Sequence, residues 1–481
     1  MTNLRRRSTF DRRYERFVRS LREQIVTGQL KPGDFILSEH ELAELYELSR
    51  GSVRKALSEL VSEGLLLKIA GRGNMVTYPR KGDIRLSKIK LGWFSPSYEL
   101  PVVRQLLQQF EERFPMLRVQ LVPIPTPEYV ETLMEWNATE TVIDVFVLPD
   151  FFFLRWVQQG WVHQLHPYLP EEMQREPSTY PPLLSMFQHD DVQYATPFVF
   201  SPVVIGYHRR MWEEAGIREH NPIRDWIGLV ETARRCSIRS PDGECDQYGF
   251  CFSASRNRWP VFLLQNGGQL ADAGGRLLLD HPRNVEALRF CVDLMYQHRV
   301  APIFSHGSDR LAEDLFIRGR AAMILTTYYF MNEFRYQGMD WDLLTPPMGR
   351  EEATLLLGNG LAINANSPNR AAAEALVDFL TSRETQSEIK RQSCTIPARK
   401  DVAEDRTLWR SDVHPEQYHV FVDVLPYARS IRDLGVTEEQ FSFMEKELHL
   451  MWARVESPDV ASHRITEEWS RRSALPTSSS H

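Results

Sequence analysis

The chain lacks long apolar runs and is poor in cysteine, and both features limit the classes of protein to which it can belong. No stretch of 18 apolar residues occurs in the 481 residues, so no membrane-spanning helix is predicted. The basic start, residues 2–7, is not followed by an apolar run and does not predict a secretory signal. The five cysteines are an odd number without a Cys-x-x-Cys pair, which favours reduced thiols over disulfides or zinc. We therefore expect a cytoplasmic protein with no membrane partner.

The chain also lacks the motifs of common enzymes. It contains no Gly-Lys-Ser/Thr phosphate loop and no Gly-x-Ser-x-Gly nucleophile turn. His40-Glu41 does not form a zinc helix, because Glu44 stands where the second histidine is required. His163 and His166 are three residues apart, but no further ligand type completes a metal set beside them. The sequence predicts no enzyme, no cofactor and no metal site.

What the chain does have is an uneven distribution of charge. Residues 1–90 carry 19 Lys and Arg against 11 Asp and Glu, a net charge of +8. The remaining 391 residues carry 38 against 53, a net charge of −15. A basic segment on an acidic body is typical of a chain that approaches DNA with one end. The alternative is an ordinary basic tail, since residues 5–7 and 12–13 supply five of the positive charges.

Residues 12–64 predict three helices. An apolar stripe at helical spacing runs from Tyr14 to Ile25, and Gly28 ends that helix. Ser38, with Glu41 three residues on, predicts a capping box for a short second helix. The side chains that we expect this second helix to bury are Leu42, Ala43, Leu45 and Tyr46. A turn then leads to a third helix.

The third helix is expected to start after Ser49 as its cap. Its inner face is formed by Val53, Ala56, Leu57 and Leu60. The side chains left on its outer, N-terminal end are Arg50, Ser52, Arg54 and Lys55. Such an end presents side chains to base edges and phosphates in the major groove. Each of these arginines taken alone is more typical of a solvated surface charge.

A β-hairpin follows the third helix. Residues 65–69 and 75–78 read as two strands, and Gly71-Arg72-Gly73 reads as the tight turn between them. An arginine at such a tip suits a narrow minor groove or a phosphate. The hairpin alone is a weak signal, whereas the helices and hairpin in this order predict a DNA-binding winged helix.

This block resembles the winged helix-turn-helix of GntR-family bacterial regulators. The resemblance rests on residues 28–34, Ser38-Glu39, residues 49–54, 63–65 and 71–73. It implies that DNA is contacted by Ser38, His40, Arg50, Ser52, Arg54, Lys55, Gly71, Arg72 and Gly73. The family usually has Pro, Arg and Thr or Lys where this chain has Leu37, His40 and Gly51, so its operator sequence cannot be carried over.

The rest of the chain alternates strands and helices. The predicted strands are 89–94, 119–122 and 142–148, and the predicted helices are 102–114, 128–138 and 151–159. This alternation predicts an α/β lobe with a largely parallel sheet.

A second resemblance extends over about residues 88–400 and is carried by segments 144–147, 160–165, 194–198, 204–207, 211–217, 265–268, 316–323 and 358–363. These segments resemble family 1 extracellular solute-binding proteins, which include maltose-binding protein. The resemblance implies two α/β lobes joined by a hinge, with ligand in the cleft. The fold class expected of the whole chain is therefore multi-domain: an α+β winged helix-turn-helix followed by a two-lobed α/β domain like the periplasmic binding proteins.

The resemblance also implies a sugar site of aromatic and polar side chains. Its candidate residues are Trp93, Ser95, Tyr98, Asp150, Phe151, Arg256, Trp259, Tyr328, Tyr329 and Asn359. Trp259 and Tyr328 are the favoured aromatics, and Asp150 lies at the carboxyl end of a strand, where open α/β sheets bind ligands. Arg256 pairing with a ligand carboxylate would indicate an acidic sugar. The alternative for the aromatics beside strands is a place in the core.

These assignments divide the chain into a winged helix at 10–78, a linker at 79–88 and a sensor domain at 89–470. Within the sensor we expect lobe 1 at about 89–198 and 345–390, and lobe 2 at about 203–343 with the C-terminal helices. The serine-rich end, 471–481, is expected to be disordered.

The predicted function is a ligand-responsive transcription regulator. Its head would bind operator DNA as a homodimer, and its large domain would sense a sugar or oligosaccharide. One alternative is a cytoplasmic solute-binding protein whose head serves dimerisation or docking, supported by Gly51 and His40. Another is a secreted importer component, which the missing signal disfavours.

Overall fold

The computed structural model describes residues 2–77, 87–95, 97–125, 128–138, 142–175, 178–219, 221–303 and 310–474. Its α-helices are α1 (Thr2–Val26), α2 (Glu39–Leu45), α3 (Arg50–Ser62), α4 (Leu100–Arg113), α5 (Tyr129–Ala138), α6 (Asp150–Gln158), α7 (Glu171–Gln174), α8 (Pro181–Ser185), α9 (Arg209–Glu214), α10 (Trp226–Cys236), α11 (Pro260–Gln265), α12 (Pro282–Tyr296), α13 (Leu311–Ile317), α14 (Tyr328–Phe334), α15 (Arg370–Thr381), α16 (Arg383–Gln392), α17 (Lys400–Ala403), α18 (Val420–Asp423), α19 (Glu438–Glu447), α20 (His449–Trp452) and α21 (Pro458–Ala474).

Its strands are β1 (Leu66–Ile69), β2 (Gly73–Val76), β3 (Ser87–Ser95), β4 (Leu117–Pro125), β5 (Val145–Pro149), β6 (Leu165–His166), β7 (Gln188–His189), β8 (Val192–Gln193), β9 (Ala195–Pro202), β10 (Val204–His208), β11 (Ile238–Arg239), β12 (Cys245–Gln247), β13 (Met323–Thr326), β14 (Trp341–Leu344), β15 (Thr354–Asn364), β16 (Ile396–Pro397) and β17 (Ala428–Arg429). The chain forms two compact units. The first unit comprises Met1–Pro96, Val103–Phe146 and Ile363–Leu380, and the second comprises Ser97–Val102, Val147–Ala362 and Thr381–His481.

The head, residues 13–77, folds as the local signals predict. The Ser38 hydroxyl oxygen accepts from the Glu41 amide, and the Glu41 carboxylate accepts from the Ser38 amide at 2.8 Å, which completes the capping box of α2. The Ser49 hydroxyl oxygen accepts from the Ser52 amide at 3.1 Å and caps α3. These caps satisfy amides that a helix leaves without partners in its first turn.

The apolar faces of the three helices and the hairpin meet in one core. Its buried members include Phe17, Leu21, Ile25, Leu42, Ala43, Val53, Ala56, Leu57, Leu60, Leu66 and Val76. The expectation that α2 buries Leu45 is wrong, because its side chain is 63% exposed. α2 ends at Leu45, Glu47 adopts the left-handed conformation, and Leu48 takes the place in the core.

One residue from outside the head belongs to the head's core. Met116, between α4 and β4, is 3% exposed and packs in the same apolar cluster as Phe17 and Leu21. The Cε1 atom of Phe114 lies 4.0 Å from the position that a Cβ at Gly28 would take. Within the first unit, the head is therefore packed against the turn that starts β4.

The remainder of the first unit is the predicted α/β arrangement. β3 pairs in parallel with β4, from Ser87 opposite Leu117 to Ser95 opposite Pro125, and with the start of β5 at Leu91 opposite Val145. Asp144, just before β5, is buried and accepts hydrogen bonds from the Lys90 amide at 2.8 Å, the Ser367 hydroxyl at 2.6 Å and the Asn369 side-chain amide at 3.2 Å. This carboxylate ties β3 to the segment that enters α15.

The second unit is built on antiparallel pairs. β10 lies between β13 and β14, and β9 lies between β15 and β16. A bulge between Asn359 and Gly360 interrupts the pairing of β15 with β9. A large apolar cluster joins α10–α12 to α19–α21 and includes Trp259 and Trp452.

The five cysteines are free thiols. Cys236, Cys251, Cys291 and Cys394 are buried, whereas Cys245 in β12 is partly exposed. Among the described helices, none combines the length and the apolar character that a bilayer crossing requires.

Two predicted boundaries differ from the structure. α21 continues to Ala474, so the predicted disordered tail does not begin at residue 471. Residues 147–198 and 381–390, which the prediction assigns to the first lobe, belong to the second compact unit. The predicted linker lies outside the described residues, except for residues 87–88, which start β3. The tail after residue 474 also lies outside the described residues.

Truncating a core residue of the head should destabilise it far more than truncating Leu45. Leu60→Ala removes a side chain that is 0% exposed and should cost about 2–5 kcal/mol of head stability through lost burial and a cavity. Leu45→Ala, the matched control, should cost less than about 0.5 kcal/mol because the site is exposed. Hydrogen exchange of the α3 amides in the full chain measures both. Equal costs would contradict the described core.

Candidate functional site

The outer end of α3 carries the candidate DNA contacts. Arg50 is exposed and forms no ion pair or side-chain hydrogen bond within the described residues. Lys55 is also exposed, with its Nζ 5.7 Å from the ring centroid of Tyr14. Ser52 shares a 2.8 Å hydroxyl hydrogen bond with Ser49, so it serves the cap as well as facing outward. A positive end with satisfied backbone groups suits phosphate and base-edge contacts.

Arg54 and the residues after Ser38 are already paired. The Arg54 guanidinium donates to the Glu39 carboxylate through Nε at 3.1 Å and Nη2 at 2.9 Å. This bond lowers the pKa of Glu39 and raises that of Arg54. His40 lies 3.5 Å from Glu44, and the Ser38 hydroxyl is used by the capping box. The Glu39 carboxylate thus fixes the direction in which Arg54 leaves α3.

The hairpin forms the predicted wing. β1 and β2 pair antiparallel from Leu66 opposite Val76 to Ile69 opposite Gly73. Gly71 and Gly73 have φ of 74° and 105°, values that L side chains rarely adopt, so the turn requires glycine at both positions. Arg72 lies exposed between them, with its guanidinium 5.4 Å from the ring centroid of Phe35.

Several predicted ligand contacts lie in cores instead. Trp93 in the first unit is 0% exposed, and Trp259 in the second is 1% exposed against Phe441 and Trp452. Neither ring offers a face to a ligand in this structure, which corrects the preference for Trp259. Aromatic rings bury large apolar areas, so Trp259 contributes more stability in the apolar cluster than it would at an open site. Ser95 is half-buried at the end of β3.

Arg256 is also engaged within the second unit. Its guanidinium forms ion pairs with Glu445 and, at 3.5 Å, with Glu438, and it lies 4.9 Å from the ring centroid of Phe151. Because both carboxylates come from α19, Arg256 and Phe151 serve to hold that helix. The expectation that Arg256 meets a ligand carboxylate is not supported by this placement.

A polar and aromatic group, here named the Tyr98 cluster, does come together in the second unit. The Tyr98 hydroxyl donates to Glu333 at 2.5 Å and accepts from Arg310 at 2.6 Å. Arg310 and Glu333 also form an ion pair at 2.8 Å. The ring of Tyr329 packs edge-on to Tyr98, with centroids 5.4 Å apart. Tyr98, Arg310 and Tyr329 are each at least partly exposed.

A buried carboxyl lies next in sequence to Tyr98. Burial raises the pKa of Glu99 to about 7, although hydrogen bonds from Tyr328 and Thr395 favour its charged form. Tyr328 also hydrogen bonds to Asn359, so Asn359 is linked to this carboxyl through Tyr328. The Oε2 atom of Glu99 has no hydrogen-bond partner within the described residues. A buried oxygen without a partner is costly and points to a ligand contact.

The Asp150 carboxylate accepts hydrogen bonds from backbone amides of the second unit. The residue starts α6, is 5% exposed, and accepts from the Gly358 amide at 3.4 Å. Burial raises its pKa to about 6, against the stabilising effect of backbone amides and of Arg432. A carboxylate in the first turn of a helix is favoured by the helix dipole.

The residues that sequence reasoning missed are Glu99, Arg310, Glu333 and Thr395. Glu99 follows the carboxyl end of β3, so the same rule that indicated Asp150 applies to it. The other three come from distant segments, and no local pattern marks them. Among the described residues, no group of three His, Cys, Asp or Glu side chains has an arrangement that could hold a metal ion.

These features define a winged helix-turn-helix joined to a two-lobed α/β solute-binding fold. The sequence matches the model of the GntR family of bacterial regulatory proteins over residues 13–76. It matches the model of the bacterial extracellular solute-binding proteins over residues 105–416, more than half of the chain. The chain belongs to the bacterial extracellular solute-binding protein family and carries a GntR head. Both are binding and regulatory families rather than enzyme families.

Individual proteins resemble the two parts separately. The arabinose metabolism transcriptional repressor of Geobacillus stearothermophilus is 50% identical over 56 residues, 12% of this chain and 15% of that protein. The arabinooligosaccharide-binding protein of Halalkalibacterium halodurans is 25% identical over 158 residues, 31% of this chain and 33% of that protein. Maltose-bound MalE3 of T. maritima has a TM-score of 0.69 and 24% identity, over 80% of this chain and 99% of that chain.

The raised pKa of Glu99 predicts a dependence of stability on pH. Because its folded pKa of about 7 exceeds the unfolded value, its contribution is fully present below about pH 4.5 and is lost as pH rises to 7. Between these pH values the wild type should lose on the order of 3 kcal/mol of folding stability relative to Glu99→Gln. Melting temperatures of both proteins between pH 4.5 and 7.5 measure it. The control, Glu112→Gln on the exposed side of α4, should run parallel to the wild type; a parallel Glu99→Gln curve would contradict the assignment.

Proposed function

We propose that this chain is a ligand-responsive transcription regulator whose head binds operator DNA and whose solute-binding domain senses a sugar or oligosaccharide. The observation that carries the proposal is Met116. This residue, adjoining a strand of the solute-binding fold, is part of the apolar core of the DNA-binding head. A change of conformation at β4 therefore has a packed contact through which to reach α1 and α3.

The DNA side of the proposal rests on unpaired positive charge in the right elements. Arg50 at the start of α3 and Arg72 at the tip of the wing are exposed without ion-pair partners among the described residues. Arg54 is held by Glu39, and Lys55 is a further exposed positive charge on the same helix. Such groups gain by releasing counterions from DNA, and the helix end gains further by reading base edges.

The ligand side rests on the Tyr98 cluster and Glu99. Sugar hydroxyls both donate and accept, and the cluster offers a phenol, a guanidinium and a carboxylate within hydrogen-bond distance of one another. The half-buried ring of Tyr329 adds apolar area beside them. The sugar ligands named for the solute-binding relative and for the structural neighbour support the same class. Tyr98, Tyr328, Tyr329 and Asn359 are thus the residues that we propose for the ligand site, together with Glu99.

The coupling has a thermodynamic requirement. Ligand and DNA must favour different conformations of the chain, and a coupling of about 1–3 kcal/mol is typical. The chain passes between the two units at residues 96–97, 102–103, 146–147, 362–363 and 380–381. A change of backbone conformation at these points would affect the first unit, to which the head belongs. We propose that the protein acts in the cytoplasm as a homodimer on a two-fold symmetric operator.

A second candidate is a solute-binding protein whose head serves dimerisation or docking. The Arg54–Glu39 pair favours this alternative, because it places a carboxylate on the surface that would face DNA. Gly51 and His40 also provide weaker DNA contacts than longer basic side chains. This alternative requires that binding to any selected duplex be insensitive to the charge of α3.

Neutralising the unpaired arginines should weaken specific DNA binding. Arg50→Ala and Arg72→Ala should each cost about 1–3 kcal/mol, because each loses phosphate or base contacts. Fluorescence anisotropy measures this on a duplex selected from a random library with the full chain. Arg210→Ala, an exposed arginine of α9 paired with Glu214, is the control and should be neutral. Unchanged affinity in both head variants would favour the docking alternative.

Replacing Met116 should uncouple the two activities. Met116→Gln places an amide in the head's core, so the effect of sugar on DNA affinity should fall toward none. The sugar-induced rise in melting temperature should remain, measured with maltose and arabinooligosaccharides as probes. Met348→Gln is the control, since Met348 is 46% exposed in the second unit. A full sugar effect on DNA affinity in Met116→Gln would refute this route, provided that hydrogen exchange reports a loosened head.

A further inference from the structure

The second unit contains a pocket that shares no residue with the Tyr98 cluster. It lies within residues 390–423 and has a volume of about 450 Å³, in the range of small-molecule sites. Buried Ile396, Tyr418 and Phe421 line its interior. Trp409, which is 39% exposed, lines it from the surface side. Neither the solute-binding resemblance nor the proposed function uses this pocket.

The interior of this pocket is held in place by buried polar groups. The Lys390 ammonium donates to the carbonyls of Val402 at 3.0 Å, Ala403 at 2.7 Å and Asp405 at 3.0 Å. Burial lowers the pKa of Lys390 to about 8. The ring of His414 contacts the Lys390 carbonyl oxygen at 2.7 Å through Nε2. These bonds tie the end of α16 to α17, so the pocket does not depend on a ligand to form.

The charged side chains that line the pocket differ in their pairing. Glu404 accepts from the Tyr180 hydroxyl at 3.2 Å, Glu416 pairs with Arg209 at 2.9 Å, and Asp423 lies 3.5 Å from His419. Arg406 forms no ion pair or side-chain hydrogen bond in the described part of the chain. The pocket therefore offers carboxylates that can accept further hydrogen bonds and one guanidinium that an anion can reach.

The Trp409 ring is positioned for contact with a flat apolar surface. Its Nε1 donates to the Pro415 carbonyl at 3.0 Å, which fixes the indole while part of the ring remains exposed. The apolar face of a pyranose suits such a ring, its hydroxyls suit the carboxylates Glu404, Glu416 and Asp423, and a ring carboxylate suits Arg406. We propose that this pocket binds a hexuronic acid, either free or at the end of a chain.

The test uses the full chain, with galacturonate and its dimer as probes in isothermal titration calorimetry. Galacturonate should bind, and Arg406→Gln should weaken it about tenfold or more because a charge-assisted hydrogen bond is lost. Trp409→Ala should weaken galacturonate and galactose alike. Tighter binding of the dimer would indicate a chain end as the ligand, and equal binding would indicate the free acid.

The controls separate this pocket from the Tyr98 cluster. Arg410→Gln removes an exposed arginine that pairs with Asp412 and does not line the pocket, so it should leave galacturonate binding unchanged. Tyr98→Phe should also leave it unchanged, whatever its effect on the sensed sugar. The proposal is overturned if galacturonate does not bind at millimolar concentration, if Arg406→Gln binds it as the wild type does, or if galactose binds as tightly. Circular dichroism of each variant establishes that it is folded.

Discussion

Burial of Met116 in the core of the winged helix is the contact on which the proposed coupling depends. A head connected only by a linker would keep its own orientation whatever the other parts of the chain did. Here a side chain at the turn before β4 completes an apolar cluster with Phe17 and Leu21 of α1. Because interiors are closely packed, a displacement of this turn has an energetic consequence inside the head. The winged helix and the turn before β4 are thus joined by packing as well as by peptide bonds.

The head was predicted well because its signals are local. The caps at Ser38 and Ser49 and the wing glycines act on amides or dihedral angles within a few residues, and the structure confirms them. The ligand-site candidates fared differently. The two hydrogen bonds of the Tyr98 hydroxyl join residues more than 200 positions apart, and no sequence periodicity predicts such contacts. The preference for Trp259 as a ligand contact was not supported, because an aromatic residue beside a family motif can equally be a core residue.

The second unit keeps polar atoms that its stability alone does not favour. Glu99 Oε2, Arg258 Nε and Glu313 Oε2 are buried without hydrogen-bond partners among the described residues. Arg258 and Glu313 also form a buried ion pair at 3.5 Å, for which well-packed apolar side chains are often at least as stable. Each orphaned atom costs roughly 1–3 kcal/mol. Buried polar atoms without partners are typical of a site that is arranged for ligand binding rather than for the stability of the free protein.

The arrangement of the cysteines has a practical consequence. Four thiols lie inside cores, so a maleimide dye added to the folded chain meets one accessible sulfur, that of Cys245. Burial raises the pKa of this thiol, and attachment will therefore be faster in mildly alkaline buffer. The native sequence thus already contains a single point for a fluorophore or spin label on the second unit. Distances from that point to labelled DNA would test the proposed coupling without any engineered residue.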